Sequence, residues 1–257
     1  MLLAATLAAW ARPARSAPAP DDGYIEYSGT ASALHGQNAL YGEHHVLSYR
    51  AGRLSERVVL YTCPNGVPFA RKKVTYVDPE APDFLFDDAS SGMQEGVRSQ
   101  DGKRSVFFQA SRTDTEKSAP LPKVAGLVVD AGFDEFIRAH WNALMKGDDV
   151  PLHFLVPSRL QAISFEVRHL RSDHVDGQPV EVFRLKLTGL LGFFLSSIDV
   201  SYETAQHVLV RFDGISDVRD AHGDNMQASI VFHSSDRRPT SAQAFVTAEQ
   251  AKITACH

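Results

Sequence analysis

The sequence predicts a mainly β protein: a single-domain antiparallel curved sheet or half-barrel of about eleven strands, with one principal amphipathic helix at about residues 133–146. Three observations predict it. Short segments of β type recur after Tyr24; hairpin signals such as Asn65-Gly66, Asp101-Gly102 and Asp176-Gly177 separate them; and one segment alone, Phe133 to Met145, carries apolar residues at helical spacing. The βαβ rhythm of a parallel sheet is absent, and hairpin-length connections imply antiparallel neighbours.

The first strands are expected at Tyr24–Ala31 and Ala39–Tyr49, the second rich in aromatic and branched residues that suit a pleated surface. Ala51-Gly52-Arg53 reads as a turn into Val58–Thr62, and Asn65-Gly66 as a hairpin into Phe69–Val77. Phe84–Asp87, Glu95–Ser99 and Ser105–Ala110 follow, and the polar stretch Ser111–Lys123, with two prolines, reads as a surface loop. Beyond the helix, Ile163–Arg168 alternates apolar with polar, the mark of a sheet wet on one face. Val180–Leu187, Ile198–Tyr202, His207–Phe212 and Met226–Phe232 complete the series.

In the helix, Phe133, Phe136, Ile137, His140, Trp141, Leu144 and Met145 form one stripe about 20 Å long. Asp130 is placed to cap its N-terminus and Lys146-Gly147 to end it. Between strands, such a stripe has to cover a sheet face.

Composition narrows the function classes. The 257 residues are 44% apolar and 22% charged, ordinary for a globular chain and unlike disorder or coiled coil. No apolar run approaches the roughly 20 residues of a membrane-spanning helix. A net charge of −5 gives no electrostatic reason to bind nucleic acid. The nine-residue apolar run Leu2–Trp10, followed by small residues at Ala14 and Ser16, fits a secretory signal over residues 1–16, although it lacks a basic leading segment. Residues 17–257 would then be one β-rich domain with its ordered core at about 24–235, in the periplasm or secreted. There Cys63 and Cys256 are free to form a disulfide or to remain two thiols.

Residues for chemistry are scarce. No nucleophile elbow, P-loop, dinucleotide fingerprint or zincin motif is present, and the reading is of a non-enzymatic protein without cofactor or metal. His44 and His45 fall on opposite faces of one strand and cannot share a metal. Asp217, Asp220, His222, Asp224 and Asn225 lack calcium-loop spacing and read as a solvated turn. Ser172, His174 and Asp176 are neighbours in one turn, whereas a triad converges from separate elements. Of Arg71-Lys72-Lys73, at most two side chains share a strand face, and a solvated edge is the expectation. The departure from plain patterning is Gly189–Leu195: Leu190, Leu191, Phe193, Phe194 and Leu195 stand where a turn should be polar. They serve either as an inward lid or as a contact for membrane or partner.

The element order, with the aromatic helix mid-chain and then Ile198-Asp199-Val200-Ser201-Tyr202 and Val210-Arg211-Phe212-Asp213-Gly214-Ile215-Ser216, resembles uncharacterised exported bacterial domains. These share the half-barrel architecture of the periplasmic lipoprotein carriers LolA and LolB. The resemblance implies an incomplete barrel closed by helices around an apolar cavity for acyl chains, and, as in LolB, an exposed apolar loop that touches membrane. The expected function is therefore a binding module for a lipid, acyl chain or other amphiphile. Phe136, His140, Trp141, Phe165 and Phe183 are the expected lining, and a transient membrane or envelope-protein contact is expected. The alternative is an envelope structural or assembly protein with a filled core that presents a sheet edge or the apolar loop to a partner, and a hydrolase with an unrecognised site ranks below both.

Overall fold

A computed structural model describes residues 18–34, 36, 38–188, 197–220 and 222–256. The expected signal segment and the apolar loop residues Leu190, Leu191, Phe193, Phe194 and Leu195 lie outside them. Among the described residues, sixteen strands form one curved, open sheet. The first half is a meander: β1 (Gly23–Ala33), β2 (Ala39–Arg50), β3 (Arg53–Thr62), β4 (Pro68–Thr75), β5 (Asp83–Asp88), β6 (Gln94–Gln100), β7 (Lys103–Gln109) and β8 (Lys117–Pro120). The chain then jumps to the opposite edge with β9 (Leu127–Val128), enters helix α1 (Gly132–Met145) and returns through a second meander. That meander is β10 (Val150–Val156), β11 (Gln161–Val175), β12 (Gln178–Leu187), β13 (Ile198–Glu203), β14 (Leu209–Arg219) and β15 (Asn225–Phe232). β15 closes against β1, with Gly29 opposite Phe232 and Ala33 opposite Ala228.

The curvature follows from this order. Edge strands β8 and β9 do not pair, yet only residues 121–126 join them, so they cannot lie more than about 25 Å apart. The 3-10 turn Pro157–Arg159 reaches across to β7. A fifteen-strand path whose ends nearly meet must bend into a trough, and the inward-facing alternate residues become its interior.

The strand count exceeds the expected eleven, and the surplus has physical causes. β8 lies within the stretch read as a loop, a four-residue edge ending on Pro120. β10 carries Pro151 and shows no period of two. β9 has two residues, and β16 (Arg238–Thr240), a short partner of β1, contains Pro239. The β9–β10 pair is also parallel, unlike every other pair described.

Among the described residues, two α-helices cover the two faces. α1 lies on the concave side, where Phe136, Ile137 and Leu144 pack on Val150, Val167, Phe183, Leu185 and Tyr202. Asp130 does not cap it: Ala131 holds that position, and Asp130, at φ 46°, turns its carboxylate to Lys72 instead. Gly132 opens the helix because a side chain there would collide with the Glu80 carbonyl, 2.1 Å from an added Cβ. α2 (Ala242–Gln250), capped by Ser241, lays Phe245 and Ala248 on the outer face of β2 and β3 over Val46, Val58 and Leu60. Elements thus continue past residue 235, and the Cys63–Cys256 disulfide ties the tail to the β3–β4 turn.

Candidate functional site

Along β2, Tyr41, Glu43, His45, Leu47 and Tyr49 share the inward phase; along β3, Arg57, Val59 and Tyr61 do; along β4, Ala70, Lys72 and Val74. Charged residues therefore occupy positions that strand alternation assigns to the core. They surround a cavity of about 240 Å³. Its walls differ by half of the sheet. β2–β6 supply Glu43, His45, Arg57, Lys72 and Glu95, with Val59 and Phe84; the opposite wall is apolar, with Phe154, Leu155, Leu185, Ile198, Val200 and Phe212. The segment leading into α1 adds Asp130, Phe133 and Asp134, and the end of β14 adds Ser216 and Asp217.

Lys72, Arg57 and Glu43 each have a side-chain partner at the cavity. Lys72, 6% exposed, donates to both oxygens of Asp130 at 2.7 Å and also contacts Asp217. Burial alone would lower the pKa of this ammonium, but Asp130 and Asp217 reverse that and hold it well above its ordinary value. Arg57 donates to Asp134 Oδ2 at 2.9 Å, and the Tyr202 hydroxyl donates to Oδ1 at 2.8 Å. Burial would raise Asp134, yet Arg57, Arg138 and these hydrogen bonds outweigh it and keep its carboxyl below the ordinary range. His45, stacked on Tyr27 at 4.5 Å, shares a 2.8 Å hydrogen bond with Glu43. Burial and then Arg57 drive the His45 pKa well down, leaving a neutral imidazole.

Two carboxyls titrate near neutrality. Burial, opposed by Lys72 and reinforced by Asp217, pushes Glu43 up to about 7. Burial with Asp217 pushes Glu95 up to about 8, Lys72 again opposing. The arrangement offers a desolvated patch of donors and acceptors facing an apolar wall. It has the chemistry to orient a polar group.

The five residues expected as lining lie elsewhere. Phe136 and Phe183 are buried packing between α1 and the sheet. Trp141 is half-buried and stacked on His207 with centroids 3.7 Å apart; His140 sits against Phe136 on the helix flank; Phe165 meets Phe154 edge-on. The helix spends its stripe on filling the trough, and the cavity lies beyond its first turn, so Phe133 and not Phe136 faces it. Lys72 is not a solvated edge residue, because the strand faces it inward while Arg71 and Lys73 face α2, donating to Ala251 O and Glu249. Of the acidic turn, the half-exposed Asp217 reaches Lys72 at the rim of the cluster, while Asp220 accepts from the amides of His222 and Asp224. The missed signal was a charge in the apolar phase of a strand, as at Glu43, Arg57 and Lys72.

No protein-family model matches the chain, and no curated protein matches it in sequence. Among solved structures it is similar to a beta-barrel-like protein of domain of unknown function DUF1849 from Brucella abortus (TM-score 0.41, 11% identity, 88% of this chain and 100% of that one). It is also similar to a putative outer membrane lipoprotein-sorting protein domain from Vibrio parahaemolyticus (0.30, 11%, 86% of each) and a DUF1329 family protein from Desulfovibrio piger (0.27, 10%, 90% of each).

Proposed function

We propose that the chain is a non-enzymatic binding module for a small amphiphile, working in the periplasm or outside the cell. The observation that carries this is the two-sided cavity within the sheet. Phe154, Leu185, Ile198, Val200 and Phe212 would receive the apolar part of the guest, and Glu43, Lys72, Glu95, Asp130 and Asp217 its polar end. The volume of about 240 Å³ supports a guest of modest size; an apolar cavity of about 150 Å³ already holds benzene. Transfer of each buried methylene contributes about 0.8 kcal/mol, so a short chain suffices for reversible affinity. The disulfide supports an oxidising compartment.

Titration with a fluorescent short-chain fatty amide tests the reading, with Val200→Phe as the blocking variant. Val200 lines the cavity from a strand centre, so the added ring would occupy the space the guest needs. Saturable binding to the wild type, lost in a folded V200F protein, is the expected outcome. Equal binding by both proteins, or by neither, refutes it.

A further inference from the structure

The opposite end of the trough holds a second and larger hollow. A cleft of about 750 Å³ lies among the β2–β3 turn, the segment after β4, the first turns of α1 and the β13–β14 turn. Arg57 and Asp134 line both spaces and form the partition between them. The cleft carries five guanidinium groups, Arg50, Arg53, Arg57, Arg138 and Arg237, against two carboxylates, Asp134 and Glu135. Both carboxylates are committed, Asp134 to Arg57 at 2.9 Å and Glu135 to Arg138 at 2.5 Å.

The remaining arginines lack acid partners among the described residues. Arg50 and Arg53 are exposed at the strand ends beside the turn. Arg237 donates to the Tyr49 hydroxyl at 3.2 Å and lies 5.0 Å over the Tyr27 ring. The Nε groups of Arg57, a residue 7% exposed, and of Arg237 are buried with no acceptor. A guanidinium has five donors and keeps its proton, so this concave site is short of acceptor oxygens. A hollow of this size falls within the about 300–1,000 Å³ of small-molecule sites.

We infer that this cleft is an anion site for a phosphoryl group, separate from the inner cavity. Several oxygens on one centre match converging planar forks, which bind phosphate in bidentate fashion. Leu47, Leu54, Val77 and Pro79 along the same wall leave room for an apolar remainder. The phosphoryl group therefore belongs either to a lipid head group or to free phosphate.

Calorimetric titration of the full chain with inorganic phosphate and, separately, with dioctanoyl phosphatidic acid tests this. Binding is expected to weaken with salt and to fall roughly tenfold for each guanidinium removed, the equivalent of one charge-assisted hydrogen bond. Arg53→Gln and Arg50→Gln change exposed residues and keep the fold; Arg237→Gln adds the half-buried member. Binding of both ligands, or of phosphate alone, assigns a free phosphoryl site, whereas binding of the lipid alone assigns a head-group site. No binding of either, or unchanged affinity in R50Q and R53Q, overturns the inference.

Discussion

Replacing Lys72 with Met keeps the length of the side chain and deletes its charge. Lys72 Nζ satisfies both oxygens of Asp130, whose side chain is 7% exposed, and also holds Asp217, which is 47% exposed. The two acids would respond differently. Asp217 can turn to water at little cost, whereas Asp130 would be left as a buried carboxylate without its cation. Breaking one side of such a pair costs about 3–5 kcal/mol, or roughly 6–20 °C in Tm for a chain of this size. Adding Asp130→Asn to Lys72→Met removes the stranded charge, and Asn tolerates the left-handed backbone at φ 46°. The double variant should recover most of the loss. Burial raises the Asp130 pKa above 3.8 even beside Lys72, so without Lys72 this carboxyl is held higher still. A raised acid withholds stability as pH climbs from its unfolded value through its folded one. The K72M deficit should therefore be smaller near pH ~4 than at pH ~7. Thermal unfolding by circular dichroism reads all three results. A K72M protein within about 0.5 kcal/mol of wild type, the scatter of ordinary surface changes, would refute the reasoning, as would a double variant no more stable than the single one.

Other outcomes follow from the same interior. Glu43 rises from 4.5 to about 7 and Glu95 to about 8, so wild-type stability should decline as pH climbs from the first value through the other two. Glu43→Gln should flatten that decline by about 3 kcal/mol, and an unchanged slope in urea titrations across pH would contradict the assigned burial. The Cys63–Cys256 bridge spans 193 residues, and removing it with Cys256→Ser should cost up to about 5 kcal/mol on the chain-entropy account. A Tm insensitive to both reductant and C256S would show that the tail contributes nothing. Gly132→Ala should destabilise by about 1–3 kcal/mol because its methyl meets the Glu80 carbonyl at 2.1 Å; full stability in denaturant melts would mean that the start of α1 is free to shift.

The sheet was legible where residues alternate and turns carry Asn-Gly or Asp-Gly, as between β3 and β4 or β11 and β12. It was not legible where proline breaks the pattern, at β10 and β16, or where a strand has two residues and exists only through its neighbour, at β9. α2 has a short apolar face of Phe245 and Ala248, and its place depends on the outward valines of β2 and β3. The helix stripe of α1 was plain in the sequence, but its use was not. Periodicity says that Phe136 and Trp141 face something, and only three-dimensional volume decides between core and cavity. The interior charges follow the same logic. Lys72 between two basic neighbours looks like surface until its acid partners, 58 and 145 residues away, are brought to it. No local pattern carries that information.

Native mass spectrometry of the disulfide-bonded protein, purified without detergent from an exporting host, tests the proposed amphiphile binding most directly. The wild type should fly with an added mass that denaturation releases and solvent extraction identifies as an amphiphile, and V200F should fly bare. A wild type that carries no added mass and acquires none when short-chain amphiphiles are supplied would contradict the account.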